Sequence, residues 1–216
     1  KSIASYTTYL KLSSDSLELF NGYTDRGTAK SLAGDTEGAI EDYYTAMKYN
    51  ATHFSIYQNL GAFLINAERL EEAEDILKKG LKLYPKDDGI LNNLGFMSIL
   101  QEQFEQGIFY FNQTIQSNPN DFIAYGNRGF CHLRLGKINE AEADLITSEK
   151  INPDNPYLYK YWGQYQLVLG DTTQACEMFV KANRMNFTGI YGNEVNDLLQ
   201  QNCMKGSLPV NNGDKR

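Results

Sequence analysis

The fold is decided by residues 122–155, FIAYGNRGFCHLRLGKINEAEADLITSEKINPDN. The glycine at the eighth position of this stretch recurs every 34 residues along the chain. The five glycines in this register are Gly27, Gly61, Gly95, Gly129 and Gly163. A period of roughly 20 to 50 residues is typical of arrays that stack one supersecondary unit many times. The repeat therefore determines the architecture.

Two further positions keep the same period. A small residue stands twelve residues after each glycine, and these are Ala39, Ala73, Gly107, Ala141 and Ala175. A large apolar residue stands sixteen residues after each glycine, and these are Tyr43, Leu77, Phe111, Leu145 and Phe179. A glycine inside a helix costs about 1 kcal/mol relative to alanine. We therefore expect each glycine to lie where two helices touch, opposite the small residue, with the large residue beside the contact.

Turn signals separate two helical stretches in each unit. Gly34-Asp35, Gly136-Lys137 and Gly170-Asp171 are dipeptides at which a helix can end in a left-handed turn. Asn-Pro steps at 118–119 and 152–153 end the second helix, because the residue before a proline avoids helical geometry. Each unit is thus predicted to be a helical hairpin.

Asn93-Leu94-Gly95 and Tyr125–Gly129, followed by Gly136, Ala141 and Asn152-Pro153, resemble the tetratricopeptide repeat. The resemblance implies an all-α fold, a right-handed α-solenoid of helix-turn-helix hairpins with a C-terminal capping helix. The units it covers are 20–53, 54–87, 88–121, 122–155 and 156–189.

The flanking segments are expected to differ from the repeats. Residues 1–19 are predicted to form an N-terminal helix, half of an earlier repeat, with Ser5, Tyr9 and Leu12 at matching positions. Residues 190–203 are predicted to form a capping helix, which a repeat array needs in order to cover its last apolar surface. Residues 204–216 are predicted to be a flexible tail.

Composition excludes several classes of function. The net charge of −7 and the pI of about 4.9 argue against nucleic-acid binding, which needs a basic surface. No run of roughly 18 apolar residues indicates a membrane span. Three cysteines and two histidines lack the spacing of a metal site, and no serine or cysteine belongs to a recognisable nucleophile motif. We therefore expect neither a catalytic residue nor a cofactor.

The first helix of each hairpin is expected to line the concave side of the array, where a ligand would bind. Asn59, Asn93 and Asn127 share one position there, two residues before the glycine. An asparagine side chain offers both a donor and an acceptor, so a row of them can pair with the backbone of an extended peptide. Asparagine ladders of this kind occur in some tetratricopeptide proteins. The resemblance thus implies a peptide groove, and the alternative is that duplication copied asparagines that face water. The other predicted groove residues are Asn92, Phe96, Phe130, Arg134, Tyr157, Lys160, Tyr161 and Gln164.

A second use of this fold is a clamp for a C-terminal carboxylate, built from paired Lys or Arg and Asn. The matching positions here hold Thr24, Thr28 and Asn59, then Gly89 and Asn93. Lys160 alone is basic at a clamp position. No clamp for a chaperone tail is expected.

The end of the chain carries a separate resemblance. Ala175–Phe179 and Leu198–Cys203 are similar to the closing unit of many bacterial tetratricopeptide proteins, especially from the Bacteroidetes group. If the capping helix folds back on the last unit, Cys176 and Cys203 could form a disulfide in an oxidising compartment. Two free thiols are the alternative. Bacterial cytoplasm and periplasm both stay open as locations.

The sequence thus favours a non-catalytic scaffold or adaptor that binds a protein or an extended peptide in its groove. The alternative is a self-associating structural protein that builds a homo-oligomer. Nucleic-acid binding and membrane insertion are not expected, and the sequence does not identify the partner.

Overall fold

The computed structural model describes residues 2–203, and every regular element in that range is an α-helix. The predicted all-α class is therefore confirmed. The helices form two compact units that divide after Pro119. The first unit contains α1 (Ile3–Leu12), α2 (Ser16–Leu32), α3 (Thr36–Tyr49), α4 (Phe54–Asn66), α5 (Leu70–Leu83), α6 (Asp88–Leu100) and α7 (Phe104–Ser117). The second unit contains α8 (Phe122–Arg134), α9 (Ile138–Ile151), α10 (Pro156–Leu169), α11 (Thr172–Arg184), α12 (Phe187–Tyr191) and α13 (Glu194–Asn202).

Aspartate side chains define where many of the helices begin. In five helices the aspartate just before the first turn accepts a hydrogen bond from the backbone N–H three residues later, which satisfies a donor that the helix leaves open. These capping residues are Asp15, Asp35, Asp87, Asp121 and Asp171. Asn155 caps α10 in a similar way and is followed by Pro156 at the first helical position. Capping chemistry thus sets the first residue of each of these helices.

The turn inside each hairpin uses a left-handed residue. Gly34, Gly136 and Gly170 have φ values of 84°, 73° and 82°. In the other two hairpins the same position is held by Glu68 and Glu102, at φ values of 59° and 57°. Glycine adopts this conformation without the steric cost that a side chain adds, so the two glutamates sit in strained backbone.

The periodic glycines allow side chains of the second helix to lie directly on the backbone of the first. A Cβ atom on Gly27 would lie 2.8 Å from the ring of Tyr43, and Gly61 and Gly163 meet Leu77 and Phe179 in the same way. The sequence predicted the small residue opposite the glycine, with the large residue beside the contact. The small residue does lie opposite the glycine in two hairpins, since the backbone oxygens of Ala39 and Ala141 are 3.2 Å from a Cβ atom on Gly27 and Gly129. The large residue covers the glycine as well, because helix packing fills any surface that a missing side chain leaves.

The N-terminal segment differs from the prediction. The predicted helix over residues 1–19 is interrupted after Leu12, and α2 begins at Ser16, so the expected unit boundary at residue 20 lies inside a helix. Asp15 causes the break, because its side chain accepts hydrogen bonds from the N–H groups of Leu17 and Glu18 and so starts a new helix. Tyr9 is 40% exposed and lies outside the core.

The C-terminal segment also differs. The segment predicted as a capping helix, residues 190–203, does contain the helix α13, but α13 is shorter than predicted and is separated at Gly192 from the short α12. Gly192 has a φ of 92°, which α-helical geometry excludes. The predicted flexible tail at 204–216 lies outside the described residues. Within residues 2–203, no helix is both long and apolar enough to cross a membrane.

Candidate functional site

The asparagines of the first unit are fixed through their amide nitrogens. The Nδ2 atom of Asn59, on α4, donates to the Tyr43 hydroxyl at 2.9 Å, and Tyr43 also shares a hydrogen bond with Thr28 on α2. The Nδ2 atom of Asn93, on α6, donates to the backbone carbonyl of Gln58 at 2.8 Å. Among the described residues, neither side-chain oxygen accepts a hydrogen bond. Each asparagine is half-buried and retains one acceptor.

The same face of the first unit carries apolar side chains two helical turns further on. Leu32 and Leu100 are 86% and 47% exposed. Leu100 lies seven residues after Asn93, and Leu32 lies seven residues after Asp25, which holds the asparagine position on α2. Residues seven apart lie on the same side of an α-helix. Phe96 is half-buried and packs against the hydrophobic core of this unit. We call the face formed by Asn59, Asn93, Leu32, Leu100 and Phe96 the polar–leucine face. Asn92, another predicted groove residue, is half-buried on α6.

Asn127, in the second unit, does not present a free acceptor. The residue is 7% exposed, and its Oδ1 atom accepts a hydrogen bond from the Tyr161 hydroxyl at 2.8 Å. Tyr161 is 2% exposed and stacks on Phe130 at a centroid distance of 4.9 Å. Burial holds the pKa of Tyr161 well above its ordinary value, so the phenol stays a donor. The prediction that these three residues line an open groove is wrong because α8 and α10 bury them against each other.

Lys160, predicted for the same groove, is also buried. It is 6% exposed, and its ammonium lies 4.5 Å from the ring centroid of Tyr157 and 4.8 Å from that of Tyr161. Phe130 and Phe187 complete a cage of four rings at 6.0 and 5.8 Å. A cation above aromatic faces is attracted by the ring quadrupoles.

Glu194, at the start of α13, neutralises this cation. Its carboxylate oxygens lie 3.0 and 3.1 Å from the Lys160 ammonium. Burial lowers the pKa of Lys160, and the charge of Glu194 opposes that change. Lys160 is therefore part of an ion pair between its buried ammonium and a carboxylate whose side chain is 52% exposed. The remaining predicted residues, Arg134 and Gln164, are exposed and half-buried, and the Arg134 guanidinium lies 5.7 Å from the centroid of Phe130.

Two buried ion pairs were not predicted from the sequence. The Arg26 guanidinium makes two hydrogen bonds of 2.7 Å to the carboxylate of Asp42. In the second unit, Arg128 makes two hydrogen bonds of 2.8 and 2.6 Å to Asp144. The Asp42 and Asp144 side chains are only 4% and 8% exposed. Such bidentate pairs are stronger than single contacts.

A second basic residue joins each pair at the same repeat position. The Lys30 ammonium lies 3.1 Å from Asp42, and the Nε2 atom of His132 lies 3.8 Å from Asp144. Burial lowers the pKa of His132, and Asp144 partly opposes that change. The signal for this network was visible in the sequence, as an arginine just before the repeat glycine and an aspartate fifteen residues after it.

The cysteines proposed to pair are bonded in the structure. Cys176 lies on α11 and Cys203 directly follows α13, and the two sulfur atoms are 2.04 Å apart. Both side chains are half-buried and line an open cleft with Thr172, Thr173 and Arg184. The third cysteine, Cys131, is buried and does not belong to a disulfide. In the part of the chain that the structure describes, no cluster of three or more His, Cys, Asp or Glu residues could hold a metal ion.

Comparisons with known proteins agree with the repeat architecture. Two sequence profiles described as tetratricopeptide repeat match residues 32–92 and 110–143. The tetratricopeptide repeat-containing protein trd-1 of Caenorhabditis elegans is 24% identical over 154 residues, which are 71% of this chain and 20% of that protein. The chain thus spans about a fifth of the length of this relative.

Solved structures resemble the fold. A tetratricopeptide repeat protein from Parabacteroides merdae superposes with a TM-score of 0.73 and 24% identity, covering 92% of this chain and 75% of the other. YrrB, described as a TPR protein with an unusual peptide-binding site, superposes with a TM-score of 0.58 and 19% identity. That comparison covers 93% of this chain and 99% of YrrB.

Proposed function

We infer that the chain, which belongs to the tetratricopeptide-repeat family, is a scaffold that binds another protein or an extended peptide and carries out no catalysis of its own. The polar–leucine face of the first unit is the proposed binding surface. Its half-buried asparagines carry the proposal, because each holds its amide nitrogen in an internal hydrogen bond and keeps its oxygen for a ligand.

The chemistry of this face suits the backbone of an extended chain. Asn59 and Asn93 are 34 residues apart and lie on successive first helices, so their oxygens offer acceptors at a repeated position. Backbone N–H groups of an extended segment recur at a regular spacing and carry no sequence information. Because the internal hydrogen bonds orient the asparagines in advance, binding costs little side-chain ordering.

The exposed leucines provide the apolar part of the surface. Leu32 and Leu100 flank the asparagine positions, and an interface needs such anchors to gain affinity from burial. YrrB, whose description includes a peptide-binding site, supports a peptide ligand through its fold. The second unit contributes less to this proposal, since Asn127 and Lys160 are engaged internally.

A selection from a displayed library of random, unstructured twelve-residue peptides tests the proposal. The full chain serves as bait, and selected peptides are titrated calorimetrically against the wild type and against an Asn59→Ala, Asn93→Ala double variant. We expect the double variant to bind at least about tenfold more weakly, the equivalent of one or two hydrogen bonds. Gln116→Ala, an exposed change on α7, is the matched control and keeps wild-type affinity.

Circular dichroism verifies that the double variant keeps its helices, since Asn59 and Asn93 also make internal contacts. Equal affinity of the folded double variant and the wild type would refute the proposed face. Light scattering on the wild type tests the alternative function, in which the chain self-associates. A mass that rises with concentration and is lowered by Leu32→Asp would place a second copy on this face instead.

A further inference from the structure

The last helix packs against α11 and α12 of the second unit but buries little of its own side-chain surface. Among the described residues of α13, Val195 alone is buried. Two polar contacts join it to the preceding helices, the ion pair of Glu194 with Lys160 and a 2.7 Å hydrogen bond between Asn183 and Asn196. A helix of nine residues is unstable in water on its own, because nucleation costs more than so few hydrogen bonds return. Its attachment therefore determines whether it forms.

The Cys176–Cys203 disulfide is the covalent part of that attachment. It joins α11 to the end of α13 and closes a loop with a sequence separation of 27 residues. Closing a loop of this length removes conformational freedom from the detached state of the helix. At the other end of α13, Gly192 separates the helix from α12 at a φ of 92°, a conformation that glycine adopts without steric cost.

The disulfide is accessible to a reductant. Cys176 and Cys203 are both partly exposed and line the open cleft between α11 and α13. Arg184 and Glu177 lie in the same lining, so the cleft carries one positive and one negative side chain. Cys131 is fully buried on α8 and offers a contrast within the same unit.

We propose that this disulfide is a redox latch, and that its reduction by a protein dithiol of the thioredoxin class releases α13 from the second unit. The first thiolate of the dithiol attacks one sulfur atom and displaces the other as a thiolate, which forms a mixed disulfide. The second thiol of the reductant then displaces the remaining cysteine. Two electrons and two protons pass to Cys176 and Cys203, and the reductant ends as a disulfide.

Release of α13 changes the surface at the end of the second unit. Lys160 loses Glu194, its carboxylate partner, and a buried unpaired ammonium is costly unless water reaches it. The cage formed by Tyr157, Tyr161, Phe130 and Phe187 therefore becomes open to solvent on the side that Glu194 had covered. The latch thus controls access to an aromatic and cationic surface. The latch does not depend on the binding surface proposed for the first unit.

Hydrogen–deuterium exchange on the full chain tests the latch. Oxidised protein is compared with protein incubated with thioredoxin, its reductase and NADPH, at a pH where all helices are formed. We expect the amides of residues 194–202 to exchange about tenfold faster or more after reduction, whereas those of α8 and α10 change little. Alkylation followed by mass spectrometry should label Cys176 and Cys203 and leave Cys131 unlabelled.

Two variants isolate the role of the bond. Cys176→Ser with Cys203→Ser should show the fast exchange in oxidising buffer and no response to thioredoxin, whereas Cys131→Ser should respond as the wild type does. Equal exchange of α13 in the oxidised and reduced protein would overturn the proposal. So would free thiols at Cys176 and Cys203 in fully oxidised protein, or reduction that occurs only when the whole unit unfolds.

Discussion

Tyr161 donates its phenolic hydrogen to the side-chain oxygen of Asn127, which lies one repeat earlier at the same position of its hairpin. The bond is 2.8 Å long and joins two residues that are 2% and 7% exposed. It connects α10 to α8 directly, first helix to first helix. A residue position that the repeat was expected to present to a ligand is here used to hold neighbouring hairpins together.

Tyr161→Phe removes this contact without changing the shape of the ring. The substitution leaves the oxygen of Asn127 buried without a partner, which should cost about 1–3 kcal/mol of unfolding free energy. Urea denaturation followed by circular dichroism measures the loss. Tyr49→Phe, at a ring that is 39% exposed, is the control and should stay within about 0.5 kcal/mol of the wild type. A Tyr161→Phe variant as stable as the control would show that the hydrogen bond adds nothing.

For the Arg128–Asp144 pair, we predict that a double variant regains the stability that a single variant loses. Asp144→Ile removes the carboxylate that accepts both hydrogen bonds from the largely buried Arg128 guanidinium, which should destabilise the protein by about 3 kcal/mol. The hairpin that contains Gly61 has the buried residues Leu60 and Ile76 at these two positions, so an apolar pair already occurs there in another hairpin of this chain. Arg128→Leu combined with Asp144→Ile should therefore recover most of the loss. Chemical denaturation of the two single variants and the double variant gives the coupling energy, and additive losses would contradict the argument.

His132 predicts a loss of stability in mild acid. Burial lowers its folded-state pKa below the ordinary value of 6.5, so the unfolded chain binds the proton more readily. The stabilising contribution is complete above the unfolded pKa and declines as the pH falls below about 6.5 towards the folded pKa. Melting temperatures between pH 5 and 8 measure the slope. His132→Gln should flatten it in that window. A slope that His132→Gln leaves unchanged would assign the acid sensitivity to another group.

The repeat period predicted most of the hairpins. It did not predict the site correctly at the asparagine position, which is half-buried in the first unit and buried between helices in the second. Gly61 and Leu77 recur in register because close helix packing depends on local spacing, which the sequence displays. The partner of Asn93 is a backbone carbonyl, at Gln58, and no side-chain pattern announces it. Lys160 and Glu194 are 34 residues apart, so extending the register beyond residue 189 would have indicated their pairing. The burial of Asn127 depends on the size of Tyr161, which holds the same repeat position in the next hairpin. For Asn59 and Asn93, the residue at that position in the next hairpin is another asparagine.

At the left-handed turns, we predict that substitutions at two equivalent positions change stability in opposite directions. Glu68 occupies the turn position that Gly136 holds in another hairpin, at a φ of 59° against 73°. The left-handed conformation costs an L-residue roughly 1 kcal/mol of folding free energy. Glycine avoids that cost, but it also raises the conformational entropy of the unfolded chain, which offsets part of the stabilisation. Glu68→Gly should therefore stabilise the protein by about 0.5 kcal/mol, whereas Gly136→Ala should destabilise it by about 1 kcal/mol. Because a Cβ on Gly136 meets nothing within 4 Å, the second change tests backbone strain without a steric clash. Thermal denaturation of both variants checks the pair, with Glu68→Ala as the control that removes the side-chain charge and retains the strained backbone. If Glu68→Gly and Glu68→Ala shift the melting temperature equally, charge and not the left-handed turn limits stability at this position.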